Sequence, residues 1–117
     1  MAMDAPLSIE MQHSAVDGTR VIRLNGPMTL RNLFTFQDEV RSVPLAKVMI
    51  LDLAGVPYMD SAGMGSIINY FVHCQNAKVR MIAAGVSPRV MELFKLTKVD
   101  SVIPLAASVE AAAMLVG

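Results

Sequence analysis

The run Val48-Met49-Ile50-Leu51-Asp52-Leu53 constrains this chain more than any other stretch. This nearly unbroken apolar run matches the pattern of a central strand covered on both faces. A few residues later the pattern changes period. Met64, Ile67, Ile68, Phe71 and Val72 recur at helical spacing, which predicts a helix running to about Asn76. Between strand and helix stands Tyr58-Met59-Asp60-Ser61-Ala62-Gly63-Met64-Gly65, so a polar Asp-Ser pair and two glycines fall at the turn. Ser61 is therefore placed at or next to the helix N-cap.

The flanking sequence supplies the remaining elements. Ser8 to His13 alternates, Val16-Asp17-Gly18-Thr19 offers turn residues, and Val21-Ile22-Arg23-Leu24 reads as a second strand, giving an opening hairpin. Asn25-Gly26-Pro27 breaks it. Leu30, Leu33, Phe34, Gln37 and Val40 then form a helical stripe that ends before Pro44. After the helix ending near Asn76, Lys78 to Ala84 is an apolar strand closed by Gly85. Ser87-Pro88 opens a third helix with Val90, Met91, Leu93 and Phe94 toward one side. Val102-Ile103 is expected as a last short strand, and Ser108 to Leu115 as an alanine-rich terminal helix. Two strands followed by alternating helix and strand predict an α/β domain. Its sheet should be mixed and mostly parallel, with four to five strands, the N-terminal hairpin and about four helices.

At 117 residues with 54% hydrophobic side chains, one domain over 1–117 can bury its own core, with 1–6 expected as a flexible N-terminus. The lone Cys74 cannot form an internal bridge, and no signal-peptide pattern follows Met1, which together point to a cytoplasmic, reducing compartment. No apolar run reaches the roughly 18 residues of a membrane span. Ten basic and ten acidic residues give a formal charge of zero, which argues against a nucleic-acid binder by net charge and toward a protein or small-molecule partner. Ten methionines are read chiefly as adaptable core filler.

The serine could act as a nucleophile only with a base, and His13 and His73 are the only candidates. Met59 occupies the first glycine position of a nucleophile elbow, and no histidine follows Cys74. His73 lies twelve residues along the same helix, about 18 Å away at 1.5 Å per residue. His73 and Cys74 are adjacent on a helix and point apart, so no metal site is expected. Gly63-Met64-Gly65 lacks both the rest of a dinucleotide fingerprint and a P-loop lysine, and no cofactor is implied. Two readings of Ser61 remain: a capping residue, or an acceptor of a phosphoryl group. Two readings of the glycines also remain, since each costs a helix about 0.8–1 kcal/mol relative to alanine. Either the helix packs closely on its own sheet, or a partner approaches the turn.

Gly55-Val56-Pro57-Tyr58-Met59-Asp60-Ser61-Ala62-Gly63-Met64-Gly65 resembles the signature of the STAS-domain anti-sigma factor antagonists, bacterial partner-switching regulators. Ser87-Pro88-Arg89-Val90 with Leu93-Phe94 is similar to that family's third-helix motif. The resemblance implies a regulator with no catalytic residues of its own. Its Ser61 would be phosphorylated by a partner that is both an anti-sigma factor and a serine kinase, and a serine phosphatase would reset it. Met59, Asp60, Ser61, Ala62, Gly63, Met64 and Gly65 would make the partner contacts, and a weak homodimer is compatible with the pattern. Other readings are a STAS subunit of a signalling scaffold or lipid-transport complex without a phosphorylation cycle and, remotely, a serine hydrolase. The chain departs from the family pattern at Pro27-Met28-Thr29, where an acidic residue is common, and at Thr97-Lys98, where a small residue or glycine often ends the third helix.

Overall fold

A computed structural model describes residues 6–13 and 17–116. The element order is β1 (Ser8–His13), β2 (Thr19–Asn25), α1 (Leu33–Ser42), β3 (Val48–Gly55), α2 (Ser61–Asn76), β4 (Arg80–Ala84), α3 (Pro88–Leu96), a 3-10 turn (Val99–Ser101), β5 (Leu105–Ala106) and α4 (Val109–Val116). The sheet follows chain order, β1-β2-β3-β4-β5. β1 is antiparallel to β2, and all later pairs are parallel. The expected mixed α/β sheet with an opening hairpin is therefore present. The expected flexible segment 1–6 falls outside the described residues except for Pro6, as does the Val16 end of the hairpin turn.

Strand alternation sorts the core into two layers. Ile22 and Leu24 of β2, Met49, Leu51 and Leu53 of β3, and Met81 and Ala83 of β4 face the layer built with α1, α2 and α3. Val21, Ile50, Ile82 and Ala84 face the opposite way and meet Ala112 of α4. Helices on both sides explain why β3 carries apolar residues at successive positions. Its one charged residue, Asp52, is buried and satisfied: Oδ2 accepts from Arg23 Nε at 3.1 Å, and Oδ1 from the Ala54 amide at 3.0 Å.

Several expected boundaries shift. Of the α1 stripe, Val40 is buried, but Leu30 precedes the helix and Phe34 is 67% exposed, while Phe36 fills the core. Aromatic residues two apart on a helix cannot share a face, and the turn from Thr29 to Asn32, closed by Asn32 N to Thr29 O at 2.9 Å, sets the phase that buries Phe36. On α2, Met64, Ile67 and Phe71 are buried, whereas Ile68 and Val72 are exposed. β4 begins at Arg80 because Lys78 takes a left-handed conformation and Val79 N bonds back to Cys74 O, terminating α2. The last strand is Leu105–Ala106, not Val102-Ile103. The amides of both Val102 and Ile103 are held by Val99 O, so pairing starts only when Pro104 O accepts from Ala83 N.

Tyr70 introduces one buried polar atom into this core. Its hydroxyl makes no hydrogen bond among the described residues, and its ring meets Phe36 edge-on at 6.1 Å. Burial first, and the neighbouring Cys74 thiol second, push the phenol well above the usual range. The unfolded chain releases this proton near pH 10 while the folded one retains it, so the associated stability is complete below that pH and declines as pH rises above it. Melting temperatures measured from pH 8 to 11 should show this decline. It should be reduced in Tyr70→Phe.

Candidate functional site

The turn between β3 and α2 is fastened to the segment that follows β2. Met28 N donates to Tyr58 O at 3.1 Å and Asp60 N donates to Met28 O at 3.1 Å, forming a short parallel bridge between Met28 and Met59. Asp60 then satisfies two further amides through its side chain. Oδ1 accepts from Gly63 N at 2.9 Å, which makes Asp60 the N-cap of α2, and Oδ2 accepts from Leu30 N at 3.1 Å. Pro27-Met28-Thr29 is thus part of the scaffold under this turn. Asp60→Ala removes both bonds and should destabilise the fold by about 1–2 kcal/mol in urea unfolding, frayed at the start of α2.

With Asp60 as cap, Ser61 is the first helical residue. It is exposed, and its hydroxyl has no hydrogen bond among the described residues. The capping duty that sequence alone left open between functional and structural readings belongs to its neighbour. The unpaired amides and dipole of the first turn favour an anion at such a position.

The two glycines have different surroundings. A Cβ on Gly63 would fall on the carbonyl oxygen of Met28, so the tether requires a bare backbone there. Among the described residues a Cβ on Gly65 would meet nothing within 4 Å, and no contact with them accounts for that glycine. Among the residues expected to touch a partner, Gly63 and Met64 are buried, Met59 and Ala62 are half-buried, and Asp60, Ser61 and Gly65 are exposed.

Exposure continues along α2. Ser61, Gly65, Ile68 and Val72 fall on one helical line, all exposed. Leu30, whose amide is held by Asp60, is 64% exposed, and Phe34 follows it at the start of α1. In sequence these apolar residues belong to the helical stripes of α1 and α2. Their signal was an excess of apolar positions, more than one helix face can bury. Arg89, in the first turn of α3, lies over the Tyr58 ring with its Cζ 5.1 Å from the centroid.

His73 is exposed while Cys74 is fully buried, and burial raises the thiol pKa. No three His, Cys, Asp or Glu side chains among the described residues are grouped to hold a metal ion. A groove of about 440 Å³ lies between α1 and α2, lined by Phe36, Val40, Tyr70 and His73 among others, on the side of α2 away from its start. No described helix is long and apolar enough to cross a membrane.

A family model for the STAS domain matches residues 10–112, and the chain belongs to that family. An anti-sigma-B factor antagonist of Listeria monocytogenes is 31% identical over 67 residues, which cover 57% of this chain. The match spans 59% of that relative's length. Among solved structures, a sulfate transporter family protein from Wolinella succinogenes superposes with a TM-score of 0.78 at 18% identity, covering 88% of each chain. The Bacillus cell fate determinant SpoIIAA, in its phosphorylated form, does so with a TM-score of 0.71 at 18% identity, covering 94% of this chain and 100% of that one. At these identities the structural likenesses establish the shared fold.

Proposed function

We propose that this protein is an anti-sigma factor antagonist whose turn at Ser61 docks on an anti-sigma factor with serine kinase activity. The unphosphorylated form binds that partner, phosphorylation at Ser61 releases it, and a serine phosphatase restores it. The chain acts as substrate and regulator rather than as an enzyme, in the cytoplasm. One observation carries this reading. Ser61 is an exposed hydroxyl without a hydrogen-bond partner among the described residues, at the head of an exposed apolar line and beside an aspartate already committed to capping. Support also comes from the name of the Listeria relative and from a fold neighbour solved with its phosphate attached.

The contact face follows from the same geometry. Ser61 and Gly65 supply a low profile, while Ile68, Val72, Leu30 and Phe34 supply apolar area around it. Incubation with the cognate kinase and ATP should add one phosphate, and Ser61→Ala should abolish it in intact-mass measurements. Equal labelling of the alanine variant would refute the site. A second reading draws on the transporter-family neighbour. Recovery of a transport or scaffold component from the native host, with no ATP-binding kinase, would favour that role.

A further inference from the structure

The formal charge of zero conceals an uneven distribution of charge. β2, β3 and β4 start side by side, with Thr19 opposite Val48 and Val48 opposite Arg80. That amino edge of the sheet carries Arg20, Lys47 and Arg80. α1 and α2 must end there for the next strands to begin, which adds Arg41 and Lys78, and α3 runs back from the carboxyl edge to end with Lys95 and Lys98. Seven of the ten basic residues thus gather toward one end. Against them stand five acidic residues: Asp17 in the hairpin turn, Asp100 after α3, and Asp38, Glu39 and Glu92 within about a helical turn of their helix ends. Among the described residues the one ion pair is Arg23 with Asp52, so none of the seven is neutralised by a salt bridge. All but Arg20, whose Nη1 donates to Pro44 O at 2.7 Å, are exposed.

Basic residues at helix C-termini are common because they complement the dipole. That account does not extend to Arg20, Lys47 and Arg80, which stand at strand starts. Nor does it explain the conformation of two of the lysines. Lys78 and Lys98 both adopt left-handed backbones, with φ of 59° and 60°, at helix-end positions where glycine is the unstrained choice. Apolar surface accompanies the charge: Leu96, between Lys95 and Lys98, is 81% exposed, and Val102 is 61% exposed.

We infer that this edge is a docking surface for an anionic lipid bilayer. Lysines dispersed around a protruding leucine suit a headgroup region, where the cations meet phosphates and the apolar side chain enters the interface. A single-stranded nucleic acid would instead call for exposed aromatic platforms. The aromatic residues Phe36, Tyr70, Phe71 and Phe94 are all buried, and the half-buried Tyr58 and exposed Phe34 are at the opposite edge, near Ser61. A docked molecule would hold Ser61 at the edge away from the membrane, accessible to a partner.

The test is co-sedimentation of the full chain with vesicles of phosphatidylcholine, with and without about 30 mol % phosphatidylglycerol. Binding should require the anionic lipid and fall about tenfold or more between low and high salt. The double variant Lys78→Gly/Lys98→Gly should melt no lower than the parent, since it relieves two left-handed positions, yet bind these vesicles about tenfold or more weakly. Leu96→Asp should weaken binding as well. Equal binding to neutral vesicles, undiminished binding by the double variant, or capture of duplex DNA or an acidic protein with no retention on anionic vesicles would each overturn the inference. Because no kinase is involved, these outcomes are independent of the role assigned to Ser61.

Discussion

Gly63→Ala should lower the unfolding free energy by about 2–3 kcal/mol, whereas Gly65→Ala, two residues along the same helix, should raise it by about 1 kcal/mol. The opposite signs follow from what each methyl would meet. At Gly63 it lands on the Met28 carbonyl oxygen, a backbone atom fixed by the Asp60 amide, so relief requires moving the whole tether. At Gly65 there is open space, and alanine simply reduces the entropy lost on helix formation. Urea unfolding of both variants measures the two effects directly. Binding separates them further. If Gly65 is kept bare for a partner's approach, the stabilised Gly65→Ala protein should bind the cognate kinase more weakly than the parent, and undiminished affinity would refute that role.

Phosphorylation of Ser61 should reduce affinity for that partner about hundredfold, equivalent to roughly 2.7 kcal/mol, with little change in the melting temperature. The two parts of this expectation have separate causes. A phosphate brings about −1.5 to −2 charges into a contact whose surroundings are Ile68, Val72, Leu30 and Phe34, and burying it there without a cation is unfavourable. Within the free protein the same group sits at the first residue of α2, where the helix dipole and unpaired amides favour it. Calorimetric titration of phosphorylated and unmodified protein against the kinase, alongside their thermal melts, tests both parts. A melting temperature that falls sharply while affinity is unchanged would contradict the switch.

Much of this was legible in the residues. The strand Val48–Leu53, the Asp-Ser turn, the helix ending at Asn76 and the Ser87-Pro88 helix start each rest on local signals, namely period, capping chemistry and proline geometry, and each is present. Errors arose where local pattern was ambiguous. Phe34 and Phe36 offer equal hydrophobicity, and only packing against Tyr70 and the sheet selects Phe36. Val102-Ile103 has strand composition, but the Val99 carbonyl captures both amides. The charged edge was invisible to a sum over residues, because net charge carries no positions.

By itself the sequence determined the class of fold, the order of its elements and the placing of Ser61 at a helix start, since apolar period and helix-start chemistry are encoded by residues close together in the chain. Tertiary structure alone decided that Asp60 caps the helix, that Gly63 answers to Met28 while Gly65 answers to nothing among the described residues, and which apolar side chains remain outside. Those distinctions depend on contacts between segments about thirty residues apart, such as Leu30 with Asp60, and no local pattern specifies where such segments meet.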